Sequence, residues 1–154
     1  MNKLELLLQK LETKISVQNV LQTDVSASSI GWHIEHSLLA INKITEATKA
    51  SDAANYKFIF KPLKYFVYLT GKMPRGRAKN PKVVEPDFFD ENTLKVHLEK
   101  TKTTIKELEN IDKNKFLKHP YFGNLKLKDT IKFLEIHTNH HLKIINDIQK
   151  TVSK

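Results

Sequence analysis

The chain has 154 residues, of which 40% are hydrophobic, enough to wrap one continuous core and too few residues to require two, so a single domain over 1–154 is expected. It contains no cysteine, which excludes a disulfide framework and a thiolate metal site and leaves oxygen, nitrogen or an activated water as any nucleophile. The formal charge of +9 suits an anionic partner such as nucleic acid, a membrane surface or a charged small molecule, but all except two of the 26 basic residues are lysines scattered along the chain, the pattern of a solvated surface.

The opening stretch, MNKLELLLQKLETK, mixes Glu5, Lys10 and Glu12 with its leucines, which fits an amphipathic helix and not a signal peptide. No segment reaches membrane-spanning length, so a cytoplasmic protein is expected. The first helix is predicted over about 3–15, with Leu4, Leu7, Leu8, Leu11 and Ile15 on one face. After a linker, Ser28 or Ser29 can cap a second helix reaching about Lys49, with Ile30, Ile34, Leu38, Ile41 and Ile44 on one side and Trp32 and Leu39 on the other. Apolar residues on two faces place this helix inside a bundle.

Between Tyr56 and Tyr68 six aromatic residues crowd together, and Pro62 and Gly71 mark the start and end of a short helix expected to cap one end of the bundle. Pro74, Gly76, Pro81 and Pro86 then exclude regular helix, leaving a long basic loop between the second and third main helices. A third main helix is predicted over about 91–110, a turn around His119, Pro120 and Gly123, and a fourth main helix over about 127–150 with Ile131, Leu134, Thr138, His141, Leu142, Ile145 and Ile148 inward. With no convincing two-residue alternation, the predicted class is all-α, a four-helix bundle.

Five of the seven histidines fall in two helical clusters, GWHIEHS and EIHTNHH. His137 and His141 lie one turn apart on the inward stripe of the last helix and can share one metal ion. A third ligand must come from another element, and the second helix offers His33 or His36. Three neutral imidazoles leave coordination positions open, as a catalytic site requires. His140 sits one position off the stripe, facing a neighbouring helix or solvent. No His-Glu-x-x-His pattern is present, which argues against a zinc protease. Glu35 and Glu135 could support a ligand or act as a base, although surface ion pairing is the simpler use of each.

The stretches SSIGWHIEHS, HPYFGNL and EIHTNHHLKII, in this order, resemble the DinB-like (YfiT-like) superfamily, in particular a bacterial branch of it, along nearly the whole chain. The resemblance implies a DinB-like bundle in which His36, His137 and His141 hold one divalent ion such as zinc, nickel, iron or manganese. His33 and His140 lie three residues from His36 and His137, so either could replace a neighbouring ligand or, at the pocket mouth, support one, and Glu35 could support a ligand as well. It further implies a metal-dependent hydrolase or thiol-dependent transferase acting on a small molecule, and pairing into a homodimer. The damage-inducible name of the superfamily raises a nucleic-acid-binding role, for which no recognition motif is visible; a bundle with purely structural histidines is the remaining alternative. The only two arginines, Arg75 and Arg77, lie in the loop GKMPRGRAKNPK, which is expected to border the metal site and bind an anionic group of the substrate through their planar forks.

Overall fold

The computed structural model describes residues 3–75 and 81–152. Its elements are α1 (Lys3–Glu12), α2 (Ile30–Ala50), α3 (Pro62–Thr70), α4 (Glu91–Leu108), strands β1 (Phe116–His119) and β2 (Gly123–Lys126), and α5 (Leu127–Val152). The structure is therefore mostly helical. Helix α2 packs against both α4 and α5, and α1 packs against the same two helices, so four helices enclose one core.

Helix α1 buries Leu4, Leu7, Leu8 and Leu11, the stripe expected from the leucine spacing. It stops at Glu12 rather than at Ile15, which is buried instead in a turn of 3-10 helix over Ile15–Val17. That turn and the linker after it have a second task at the head of α2. The Ile30 and Gly31 amides donate to the carbonyls of Val20 and Gln18, and the Trp32 amide donates to the Ser29 side chain. The first amides of α2, which have no partner within the helix, are thereby all satisfied. The same contact explains Gly31: a Cβ there would lie 2.5 Å from the Phe89 ring and 2.9 Å from Gln18 Oε1. The two histidines of α2 thus follow a helix start fixed by three neighbours.

Helix α4 begins at a capping box, in which the Thr93 amide donates to Asp90 and the Asp90 amide to the Thr93 hydroxyl, and it buries Leu94, Leu98, Ile105 and Leu108. Helix α5 buries a stripe that includes Leu134, His137, Thr138, His141, Leu142, Ile145 and Ile148.

Two expectations need correction. The turn before α5 is a β-hairpin, with Phe116 paired to Lys126 and His119 to Gly123. Each strand has only four residues, and the adjacent apolar pair Phe116–Leu117 breaks the alternation by which a strand is read. Gly123 takes φ +74 and passes so close to Ile59 that a Cβ would meet its carbonyl oxygen at 2.9 Å. The aromatic segment, for its part, does not bury its rings as a cap. Helix α3 starts on Pro62 and ends on Gly71 as expected, yet it buries only Val67 and holds to α5 through Tyr68 Oη donating to the Asp129 carbonyl and a Lys64–Asp129 ion pair. Phe58, Phe60, Tyr65, Phe66 and Leu69 are exposed.

Candidate metal centre

The α2–α5 contact brings the two histidine clusters together. On α2, His33 and His36 are three residues apart; on α5, His137 and His141 are four apart; all four are buried. His36, His137 and His141 each offer a ring nitrogen, and these atoms lie within 4.8 Å of one another. The His141 ring centroid is 4.6 Å from each of the other two.

Hydrogen bonds orient the rings. His36 Nδ1 lies 2.7 Å from the Val84 carbonyl, which can only accept, so the proton of the neutral ring is on Nδ1 and the Nε2 lone pair is free. That Nε2 stands 3.2 Å from His137 Nε2. Two imidazole nitrogens each about 2.1 Å from a common ion are separated by a similar distance at an angle of about 100°. His141 Nδ1 lies 2.9 Å from His33 Nδ1, and His33 Nε2 lies 2.9 Å from Ser26 Oγ. If His141 donates to His33 and His33 to Ser26, His141 keeps its Nε2 lone pair. Trp32 stacks on His36 with ring centroids 4.9 Å apart and planes within 7°, closing that side.

Burial keeps these rings neutral. It pushes His33 down to about 4, helped by the positive ends of His36, His140 and Arg75. His36 is lowered by burial too, against the opposing pull of its Val84 bond. His137 and His141 fall well below the usual imidazole range, first through burial and then through their histidine neighbours. A neutral imidazole is the form that ligates a metal. His137 Nδ1 is also buried with no hydrogen-bond partner. Because Nε2 is the atom that faces His36, this Nδ1 lies on the outer side of the ring, where an ion shared with His36 would not satisfy it. The donor set and the spacing fit a divalent cation.

The remaining expected site residues divide. His140 is half-buried with its ring edge-on to His141, and burial followed by Arg75 and Lys143 lowers it to about 4. Glu35 does not line the pocket. Two residues beyond His33 on a helix is more than half a turn away, and Glu35 faces α4, 2.8 Å from His97 Nδ1. His97 continues to Asn42, which bonds Thr101 and Thr104, so this polar network joins α2 to α4. Glu135 pairs with Lys3. Arg75 lies close enough to His33 and His140 to act on both, but its guanidinium bonds Asp147 of α5 at 2.7 Å, so its charge is already matched within the chain. Arg77 lies outside the described residues.

Sequence reasoning missed a cavity of about 480 Å³ that ends on His36 and His137. Ala40, Ile44, Val67, Leu117, Phe122 and Phe133 are among the apolar residues of its wall. His119 lines it as well. The Nδ1 atom of His119 accepts from the Tyr121 and Phe122 amides, so its neutral ring carries the proton on Nε2. The HPYF stretch was the available signal for His119; the cavity itself had none, because its walls come from distant segments.

No protein-family profile matches the chain, and no curated protein or solved structure shows significant similarity to it.

Proposed function

We propose that the chain is a four-helix bundle of the DinB-like class in which His36, His137 and His141 hold one divalent metal ion, and that it is a metal-dependent enzyme. The single observation that carries this reading is the convergence of three buried histidines from two helices, with their ring nitrogens within 4.8 Å. It is supported by the Val84 carbonyl and His33, which bond the outer nitrogens of His36 and His141 and so aim the inner ones. An ion held by three imidazoles would supply Lewis acidity, lowering the pKa of a bound water toward ~7 or deprotonating a bound thiol. The chain's own contribution is to keep the three rings neutral, to shield one side with Trp32, and to leave the cavity beside His36 and His137 for a substrate. A hydrolase or a thiol-dependent transferase is compatible with that arrangement.

A second reading, a structural histidine cluster, rests on the contacts the rings already make with one another, 3.2 Å for His36–His137 and 2.9 Å for His33–His141. Elemental analysis of protein prepared without a histidine tag separates the two. The metal reading predicts near-stoichiometric zinc, nickel, iron or manganese, reduced to background in His36→Ala, His137→Ala and His141→Ala. Wild-type protein that neither carries nor takes up any of these ions, while remaining folded, would leave the structural reading.

A further inference from the structure

We infer that the substrate of this centre is an uncharged, elongated and mainly apolar small molecule, bound along α2 with its reactive end at His36 and His137. The inference rests on the metal reading only for which end of the molecule reacts. The volume of about 480 Å³ is that of a small-molecule site, typically ~300–1,000 Å³. Its shape follows from α2. His36, Ala40, Ile44 and Ala47 line one wall in helical register, and that run of helix is about 16 Å long at 1.5 Å per residue. A compact polar metabolite would leave most of this length unfilled.

Its chemistry follows from the opposite walls. Val67 of α3, Leu117 of β1, Phe122 and Phe133 face the same space, and none of them can hydrogen-bond a ligand. Among the described residues, charge at the border is confined to Lys43 and Lys118, which are both exposed, and Lys43 is paired with Glu46. Arg75, the group expected to receive an anion, is paired with Asp147. Apolar burial is therefore the main source of affinity, and His119, with its Nε2 proton, and Tyr121, with its hydroxyl, are neutral polar groups that line the cavity beyond the histidine centre.

The test uses phenylethanol, phenylbutanol and phenylhexanol as probes, with phenylbutyrate as the charged counterpart of phenylbutanol. Binding to metal-free and nickel-loaded protein is followed by calorimetry. Affinity is expected to rise about fourfold per added methylene, as for transfer of CH₂ out of water, and phenylbutanol should bind at least as tightly as phenylbutyrate. Ala47→Phe, at an exposed wall position, should abolish the length dependence with nickel affinity unchanged. Should that variant fail to fold, Ala47→Leu places a smaller side chain at the same exposed wall position. Equal affinity along the alcohol series, or a tenfold preference of the metal-free protein for phenylbutyrate, overturns the inference. Length-dependent binding in a protein that takes up no nickel keeps the cavity assignment and removes the metal reading; nickel binding without length dependence does the reverse.

Discussion

Replacing His33 by phenylalanine isolates the part of metal affinity that comes from behind the ligands. His33 is buried, and its Nδ1 is the 2.9 Å partner of His141 Nδ1. When His141 ligates through Nε2, its proton is forced onto Nδ1 and needs an acceptor. Phenylalanine fills the space without one, so the loaded protein holds a buried N–H with no partner, at a cost of about 1–3 kcal/mol. At about 1.4 kcal/mol per decade that is a loss of roughly fivefold to 150-fold in affinity. The metal-free chain escapes most of this penalty, because an unligated His141 can carry its proton on the other nitrogen. Trp32, the only tryptophan, stacks on His36 and serves as the reporter: nickel or cobalt should quench its fluorescence, and a competing chelator converts the quench into a dissociation constant. His33→Gln, which restores an acceptor, should recover part of the loss. Affinity of His33→Phe within threefold of wild type would refute the relay from Ser26 through His33 to His141. Loss as complete as that of His141→Ala would show that His33 is itself a ligand.

Two further outcomes are expected. Gly31→Ala should destabilise the fold by about 1–3 kcal/mol, the usual cost of overpacking, because its Cβ would sit 2.5 Å from Phe89; chemical denaturation of Gly31→Ala with and without Phe89→Ala checks this, and a double variant no better than the single removes the stated cause. Stability should fall with acid. Burial lowers His119 from 6.5 to about 4, so the unfolded chain binds the proton first: the stabilisation is complete above pH 6.5 and is lost as pH falls toward 4. That difference amounts to on the order of 3 kcal/mol at most, and urea midpoints at pH 7 and pH 5 should differ less in His119→Phe than in wild type.

The helices were legible because each carries its own signal. Leu4, Leu7, Leu8 and Leu11 repeat at helical spacing, Ser29 and Pro62 mark starts, and Gly71 marks an end. The histidine centre was legible for the same reason, since spacings of three and four residues place side chains on one helix face. What could not be read depends on partners far along the chain. The partner of Glu35 proves to be His97 of α4, and that of Arg75 to be Asp147 of α5, neither of which its local sequence announces. The hairpin was hidden because its four-residue strands draw on Lys115 and Ser51 contacts that no local pattern announces. The crowding of Phe58, Phe60 and Phe66 suggests a cap over one end of the bundle, yet their rings are exposed.

The Val84 carbonyl, which receives the His36 proton, belongs to a short 3-10 turn over Lys82–Val84 that follows the proline-bearing loop. Because the acceptor is main chain, no side-chain substitution at position 84 deletes it, and the residue there can change as long as the backbone keeps its course. The bond also ties two equilibria together. Any ligand that favours the Nδ1-protonated form of His36 must steady this turn by the same free energy that the turn lends to the ligand. Occupancy of the histidine centre should therefore be readable at a distance, as slower amide exchange or proteolysis around residues 82–85, even where no ligand atom touches that segment.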